Sequence, residues 1–212
     1  MIKQAITLSL SLLFIFSMQA QREMCITIDD LPVVSYGKND QEHLLEITNA
    51  LIQTFDQYQI PAIGYVNERK LYDDGQVDEK RIALLELWLE SGYELGNHTF
   101  SHPNYDKVSY KEYTADILKG EKITRPLVKK YNQELRFFRH PYLRIGSTIE
   151  RHDSLVQFLA QHHYTEAPVS IDNEDYLFAK AYFVAYKKDD QELMQKIGKD
   201  YIQYILCINS SH

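Results

Sequence analysis

Two short clusters of polar residues in this sequence have the composition needed for metal-assisted hydrolysis. The first contains the adjacent carboxylates Asp29 and Asp30, and the second contains His98 and His102, four residues apart. One carboxylate and two imidazoles can bind a divalent cation and leave a coordination position open for water, while the second carboxylate is free to act as a base. The two clusters therefore predict a hydrolase.

The spacing within each cluster suits this chemistry. Residues i and i+4 on one helical turn lie close enough for both imidazoles to reach one ion. Adjacent aspartates at the end of a strand point in different directions, because the pleat alternates side chains, so one can face the metal and the other the water. Asn97 and Ser101 are candidates for hydrogen bonds that orient the ligands.

Each cluster also has a purely structural interpretation. An isolated Asp-Asp pair is more often a turn or a helix cap, and Asp73-Asp74-Gly75, which no strand precedes, is assigned to a turn. A single pair of histidines four apart is more often coincidental or structural than a metal site. Arg139 taken alone is as compatible with a surface ion pair as with a catalytic role.

Strand-like and helix-like segments alternate along the chain. This alternation favours a parallel α/β sheet with crossover helices, either a barrel or a doubly wound sheet. Strands are predicted at 24–28, 61–66, 92–96, 136–138 and 165–170, and helices at 41–58, 78–91, 109–130, 148–162 and 189–204.

Polar clusters follow four of the five predicted strands. Asp29 and Asp30 follow the first, the histidine segment 98–102 follows the third, residues 139–142 follow the fourth, and residues 172–176 follow the fifth. Functional groups of parallel α/β proteins collect at the carboxyl ends of the strands. The four clusters are therefore expected to converge at one site, at the carboxyl ends of the strands.

The order of these clusters resembles the polysaccharide deacetylase family, the NodB-homology domain of carbohydrate esterase family 4. The resemblance covers about residues 24 to 180. It rests on four ordered motifs: Thr27-Ile28-Asp29-Asp30-Leu31-Pro32, His98-Thr99-Phe100-Ser101-His102, Arg139-His140-Pro141-Tyr142 and Asp172-Asn173-Glu174-Asp175-Tyr176. Leu31 stands where the family usually has glycine, and this substitution predicts a different backbone path after the aspartate pair.

The resemblance implies a distorted (β/α) barrel of the NodB-homology type. The sequence supplies about five of the roughly seven strands of such a barrel, so we expect an incomplete barrel. The family's final Leu-x-His motif, whose histidine is the general acid, has no match in this chain. We therefore expect residues 21–212 to form a polysaccharide deacetylase-like domain that lacks its C-terminal part.

The resemblance also implies a role for each metal-site residue. Asp30, His98 and His102 would bind a divalent metal, most commonly zinc, with cobalt, nickel and manganese as alternatives. Asp29 would be the general base that deprotonates metal-bound water. Arg139 would hold Asp29 and keep it ionised, because an adjacent cation lowers the pKa of a carboxylate.

Three further residues receive roles from the same resemblance. The backbone N–H of Tyr142 would stabilise the oxyanion, and Asp172 would anchor Arg139. Tyr142 and Tyr176 would line the substrate groove, with Tyr176 in place of the usual tryptophan. The implied substrate is an acetylated polysaccharide or oligosaccharide carrying N-acetyl or O-acetyl groups.

Two other functions are compatible with the sequence. One is a catalytically impaired or inactive truncated homologue that binds carbohydrate. The other is a secreted two-histidine metalloenzyme of another class, such as a peptidase or a phosphoesterase. The helical peptidase motif His-Glu-x-x-His is absent from the sequence, which counts against a peptidase.

The N-terminal segment 1–20 is typical of a signal peptide. Lys3 is followed by an apolar stretch from Ile6 to Phe16, which is too short to span a bilayer comfortably, and Met18-Gln19-Ala20 suits cleavage. We expect a secreted or periplasmic protein without a stable membrane anchor. The formal net charge of −7 disfavours nucleic-acid binding, which relies on a basic surface.

Export would place the two cysteines, Cys25 and Cys207, in an oxidising compartment where they could form a disulfide. Cys25 lies within the first predicted strand, and free cysteine behaves as a small hydrophobic residue. We therefore expect Cys25 to be buried.

Overall fold

A five-stranded parallel sheet organises the computed structural model, which describes residues 24–33 and 40–210. The predicted signal peptide, 1–20, lies outside the described residues. Along the chain the elements are β1 (Ile26–Leu31), α1 (Gln41–Tyr58), β2 (Ala62–Val66), β3 (Tyr72–Asp73), β4 (Gln76–Val77), α2 (Glu79–Glu90), β5 (Glu94–Asn97), α3 (Tyr110–Lys119), α4 (Thr124–Lys130), β6 (Phe137–Phe138), α5 (Ile149–Gln161), β7 (Thr165–Glu166), α6 (Asp175–Lys187) and α7 (Gln191–Ser210).

The main sheet has the strand order β1-β2-β5-β6-β7, and each neighbouring pair is parallel. The five predicted strands and their parallel arrangement are thus confirmed. Within the described part of the chain, β1 and β7 are the outer strands and do not pair with each other, so the barrel is not closed. Strands β3 and β4 form a separate antiparallel hairpin whose turn contains Asp74 and Gly75, so the predicted turn is confirmed. The expectation that no strand precedes it is wrong, because Asp73 belongs to the two-residue strand β3.

Apolar residues of the central strands and the covering helices form the core. The side chains of Trp88 on α2, Leu95 on β5, Phe138 on β6 and Leu155 on α5 are fully buried. A parallel sheet is normally covered on its faces by crossover helices, and these strands are accordingly rich in buried residues. The whole of β2 is buried.

The predicted helix 109–130 is divided into α3 and α4. It begins with the predicted capping box between Ser109 and Glu112. It is interrupted at Gly120, where an added Cβ would lie 2.4 Å from the carbonyl carbon of Thr99. Only glycine allows the helix end to approach the histidine segment so closely, and helical periodicity does not reveal this long-range requirement.

The C-terminal region differs most from the sequence predictions. The fifth strand covers Thr165–Glu166 instead of 165–170, and helix α6 begins at Asp175, within the predicted fourth motif. Helix α7 spans Gln191–Ser210 rather than 189–204. No helix in the described ranges combines the length and hydropathy needed to cross a membrane.

Cys25 is exposed, so the prediction of a buried cysteine is wrong. It precedes β1, an outer strand of the sheet, and a position at a sheet edge receives cover from one side only. Both cysteines lie within the described residues, and no disulfide links Cys25 to Cys207.

A buried glutamate ties the segment after β2 to the start of α4. Glu68 lies in a 3₁₀ turn, Glu68–Leu71, and its side chain is inaccessible to solvent. Its carboxylate accepts hydrogen bonds from the N–H groups of Ile123 and Thr124 at 2.9 and 3.0 Å and from the Thr124 hydroxyl at 2.9 Å. Burial raises the pKa of Glu68, and these hydrogen bonds oppose that shift.

Replacing Glu68 with alanine is expected to lower the free energy of unfolding by about 3 kcal/mol, because the two buried donors of Thr124 and the partly buried N–H of Ile123 lose their acceptor. Urea denaturation of the purified protein measures this loss. The matched control is Glu79→Ala, which changes an exposed glutamate in the first turn of α2 and should alter stability by less than about 0.5 kcal/mol. Equal losses in the two variants would contradict the assigned role of Glu68.

Candidate metal centre

Three side chains with metal-binding donor atoms converge at the carboxyl ends of β1 and β5. Asp30, His98 and His102 each offer one ligand atom, and these atoms all lie within 4.8 Å of one another. These are the three residues predicted to bind the metal. A carboxylate with two imidazoles is a donor set that zinc accepts, so the side chains present fit a divalent cation.

His98 is held in the form that can bind a metal. Its side chain is buried, and Nδ1 lies 2.8 Å from the carbonyl oxygen of Arg139. Because a carbonyl oxygen only accepts, Nδ1 carries the proton, and Nε2 keeps a lone pair for a ligand. Burial lowers the pKa of His98 to about 4, and burial also lowers the pKa of His102. Both imidazoles therefore favour the neutral form.

The two histidines lie on a loop, so the predicted placement on one helical turn is wrong. Thr99 and His102 have left-handed backbone angles, with φ of 66° and 59°. Two side chains hold this path: the Asn97 side-chain oxygen accepts a hydrogen bond from the Thr99 N–H at 2.7 Å, and the Thr99 hydroxyl accepts one from the His102 N–H at 3.1 Å. Local hydrogen bonds from side chains to the backbone, not helical spacing, hold the loop that carries both imidazoles.

Asn97 and Ser101 support the loop backbone, although we expected them to orient the imidazoles. The Asn97 amide also donates to the carbonyl oxygen of Ile117 at 3.0 Å and to the Tyr164 hydroxyl at 2.8 Å. These contacts fasten the end of β5 to α3 and to the segment before β7. Ser101 contacts Asp116, a residue that sequence reasoning missed.

Asp116, on α3, binds the histidine loop with both carboxylate oxygens. One oxygen accepts hydrogen bonds from the N–H groups of Phe100 and Ser101 at 3.0 and 2.8 Å, and the other accepts one from the Ser101 hydroxyl at 2.8 Å. In the sequence Asp116 is an ordinary acidic residue within an amphipathic helix. No local pattern marks it, because its partners lie 15 and 16 residues away.

Replacing Asp116 with alanine is expected to weaken zinc binding by about tenfold, because residues that support metal ligands typically contribute 10–100-fold to affinity. Titration against a chromogenic zinc chelator measures the change. Asp153→Ala is the matched control, since Asp153 is an exposed aspartate on α5. If both variants bind zinc as tightly as the wild type, Asp116 does not position the loop.

Asp29 lies beside Arg139, as predicted, and is not among the three residues whose ligand atoms converge. The Nη1 atom of Arg139 lies 3.4 Å from each Asp29 carboxylate oxygen. The guanidinium is 4% exposed, donates to the carbonyl oxygen of Ala167 at 2.6 Å, and lies over the ring of Tyr65 at 4.6 Å. These contacts fix Arg139 and, through it, the orientation of Asp29.

The pKa of Asp29 lies above its usual value, contrary to the expectation that Arg139 lowers it overall. Burial of the carboxylate is the largest cause of the increase, and the charge of Asp30 adds to it. Arg139 acts in the expected direction but is outweighed. The result is a partly buried carboxylate with increased basicity.

The aspartate pair diverges because of the backbone of Asp30. Asp30 has a left-handed φ of 65°, and the pairing of β1 with β2 is irregular between Ile28 and Leu31. Leu31, at the position where the family usually has glycine, is buried and fills the space above Gly64. A Cβ on Gly64 would lie 2.1 Å from the Leu31 side chain. Asp30 thus adopts the left-handed backbone conformation, and Leu31, which follows it, fits its position in the core.

Tyr142 lies beside the histidine loop. It belongs to a 3₁₀ turn, Pro141–Leu143, and has a left-handed φ of 57°. Its ring centroid is 4.5 Å from that of His102, and its side chain is 60% exposed. An exposed aromatic ring next to the candidate metal ligands is suitably placed to contact a substrate. The oxyanion role of its N–H stays a prediction.

The fourth motif is less closely integrated into the site. Asp172 is exposed and accepts a hydrogen bond from the Glu174 N–H at 3.1 Å, whereas the polar partners of Arg139 are Thr27, Asp29 and Ala167. The anchoring role of Asp172 stays a prediction. Tyr176 is exposed in the first turn of α6, and its role in the groove likewise stays a prediction.

Lys70 is a second residue that sequence reasoning missed. Its Nζ atom lies 2.9 Å from the backbone carbonyl oxygen of Asp30 and 3.4 Å from a carboxylate oxygen of the same residue. Burial lowers the pKa of Lys70, and the charge of Asp30 opposes that shift. Lys70 follows the carboxyl end of β2. Its place after a strand end is the same signal that identified the predicted site residues.

Comparisons with known proteins agree with this arrangement. A family model described as polysaccharide deacetylase matches residues 18–165. A peptidoglycan-N-acetylglucosamine deacetylase of Bacillus cereus is 26% identical over 154 residues, which cover 73% of this chain and 46% of that protein. The chain thus spans about half the length of that relative.

Solved structures share the fold at lower identity. The Bc1960 peptidoglycan N-acetylglucosamine deacetylase superposes with a TM-score of 0.53 at 22% identity, over 74% of this chain and 60% of the other. BA3943, described as a CE4 family pseudoenzyme from Bacillus anthracis, gives 0.52 at 15% identity, over 86% and 52%. The family match extends over more than half of the sequence and includes the candidate metal ligands, so this chain belongs to the polysaccharide deacetylase family.

Proposed function

We propose that this protein is a metal-dependent hydrolase that removes acetyl groups from N-acetylated glycans. The observation that carries the proposal is the convergence of Asp30, His98 and His102, with Asp29 held by Arg139 beside them. This is a cation site with an adjacent basic carboxylate. The named activity of the Bacillus cereus relative supports a glycan substrate containing N-acetylglucosamine.

The three ligands would hold a divalent cation, for which zinc is the first choice and cobalt, nickel or manganese are alternatives. Such a cation supplies a Lewis acid that polarises a carbonyl oxygen and activates water. His98 contributes a neutral imidazole oriented by the Arg139 carbonyl, and Asp30 contributes negative charge. The Arg139 backbone thus orients a ligand while its side chain orients the base.

Asp29 is the proposed general base. Its raised pKa makes it a stronger proton acceptor than an exposed aspartate, and the contact with Arg139 fixes the orientation of its carboxylate. Hydrolysis of the amide forms a bond between the oxygen of water and the acetyl carbon and breaks the bond between that carbon and the sugar nitrogen. The nitrogen leaves with a proton that comes from the water, so the products are acetate and a free amine. We assign stabilisation of the negative oxygen to the Tyr142 N–H, and contact with the sugar to the Tyr142 and Tyr176 rings.

A carbohydrate-binding homologue with impaired catalysis is the second candidate. The observation that favours it is the sheet left open between β1 and β7 in the described part of the chain. BA3943, described as a pseudoenzyme, shares the fold. The two candidates differ in acetate release and agree in glycan binding. For either candidate we retain the proposal that the protein is exported through its predicted signal peptide.

Acetate release from N-acetylglucosamine oligomers by the purified, zinc-loaded protein tests the proposal. We expect release that chelation abolishes, zinc restores and Asp30→Asn eliminates. Acetylated xylan, assayed in parallel, distinguishes N-deacetylation from O-deacetylation. Glycan binding with zinc bound but without acetate from either substrate would overturn the enzymatic proposal in favour of the carbohydrate-binding homologue.

A further inference from the structure

The positively charged end of the Lys70 side chain lies next to the Asp30 carboxylate of the candidate metal site. Its Nζ atom lies 3.4 Å from Oδ1 of Asp30, the same oxygen that lies 3.9 Å from Nε2 of His102. The ammonium also donates a hydrogen bond to the Asp30 backbone carbonyl oxygen at 2.9 Å. A cation bound between Asp30 and the histidines would therefore share its carboxylate ligand with Lys70.

The backbone of Lys70 is fixed from both sides. Its N–H donates to the Asn67 carbonyl oxygen at 3.0 Å, and its own carbonyl oxygen accepts from Nη1 of Arg81 at 2.9 Å. Within the same turn, the N–H groups of Glu68 and Arg69 donate to the carbonyl oxygens of Thr99 and Phe100 at 3.2 and 3.0 Å. The turn that carries Lys70 is thus bonded to the histidine loop, and the buried Glu68 carboxylate anchors it to α4.

This position has a definite electrostatic consequence. The repulsion between an ammonium and a divalent cation that would share one carboxylate exceeds what a single hydrogen bond contributes to positioning that carboxylate. The side chains of Lys70 and Asp30 are 33% and 29% exposed, so the solvent screens this repulsion only in part. The net effect of the Lys70 charge on a bound metal is therefore unfavourable.

We propose that Lys70 is a resident cation that competes with the metal for Asp30 and limits the metal affinity of the site. The inference rests on the proposed metal-binding function and adds to it a residue that sets affinity. Lys70 neutralises Asp30 while no metal is bound, so the paired aspartates and the histidine loop keep their arrangement. Metal binding must then proceed against the Lys70 charge.

Zinc affinity of Lys70→Met and Lys70→Arg, measured by competition with a chromogenic chelator, tests this inference. Methionine keeps the length and apolar stem of lysine without its charge, and arginine keeps the charge. We expect Lys70→Met to bind zinc at least about tenfold more tightly than the wild type at low salt, and Lys70→Arg to remain within about threefold. The difference should shrink as salt is raised.

If Lys70 merely supported Asp30, its replacement would change zinc affinity in the opposite direction, because the carboxylate would be held less firmly and zinc binding would weaken. Equal or weaker binding by Lys70→Met, confirmed with Lys70→Gln in case the first variant folds poorly, overturns the inference. Asp30→Asn separates this failure from failure of the proposed function. If the wild type and Asp30→Asn bind zinc equally, the metal site itself is wrong.

Discussion

Asp29→Asn is expected to reduce acetate release from N-acetylglucosamine oligomers by about 10²–10⁴-fold, the usual contribution of a general base. Asparagine preserves the size of the side chain but cannot accept the proton from water. Zinc affinity should stay within about threefold of the wild type, because Asp29 pairs with Arg139 and is not one of the three residues proposed to bind the metal. Initial rates and a zinc titration on the same preparation measure both effects.

The second Asp-Asp pair of the sequence provides the matched control. Asp74 lies in the exposed turn of the β3–β4 hairpin with a left-handed φ of 45°, which asparagine tolerates well. Asp74→Asn should therefore retain full activity and zinc affinity. If Asp29→Asn retains more than about a tenth of the wild-type rate, Asp29 is not the base. Loss of zinc together with activity would instead place Asp29 among the metal ligands.

The sequence was sufficient to predict which groups meet at the site. Polar clusters follow four of the five predicted strands, and parallel strands bring such ends to one side of a sheet. The rule predicts that these clusters converge, and the resemblance implies the individual pairings of Asp30 with His102 and of Asp29 with Arg139, which join residues 72 and 110 positions apart. The rule requires only that the strands run parallel, which the alternation of strands with helices along the chain indicates. It requires no knowledge of side-chain packing.

The conformations that bring the ligands into position could not be predicted. Asp30, Thr99 and His102 adopt left-handed backbone angles that cost energy in residues with a Cβ and are maintained by surrounding contacts. The carboxylate of Asp116 and the close approach of Gly120 to Thr99 supply such contacts for the histidine loop. Asp116 lies on α3 and Gly120 directly follows it, more than ten residues along the chain from the histidine loop, so no local pattern reveals these contacts.

The sign of a pKa shift was equally beyond sequence reasoning. The motif places a cation beside Asp29, which favours a lower pKa, and the structure confirms that contact. The net shift has the opposite sign because burial has the larger effect, and the degree of burial depends on the whole fold. Motifs identify charged partners, whereas solvation has to be observed.

His98→Ala is expected to weaken zinc binding by at least about 100-fold, since it removes one of three protein ligands, a larger change than the loss of a residue that only supports a ligand. His98 is 1% exposed, whereas the His102 side chain is 22% exposed. The space left by the buried imidazole is shielded from bulk solvent, so water is a poor replacement ligand there. Zinc titration and zinc content after dialysis against a weak chelator both measure the loss, and acetate release should disappear with the metal.

The control must show that the loss comes from the ligand and not from unfolding. His163 is an exposed histidine that follows α5 with a left-handed φ of 61°, so His163→Asn removes an imidazole without disturbing the backbone or the site. It should bind zinc as the wild type does. The near-ultraviolet circular dichroism of His98→Ala should match that of the metal-free wild type. If a variant with that native spectrum still binds zinc within tenfold of the wild type, His98 does not ligate the metal, and the proposed site loses the imidazole on which its geometry depends.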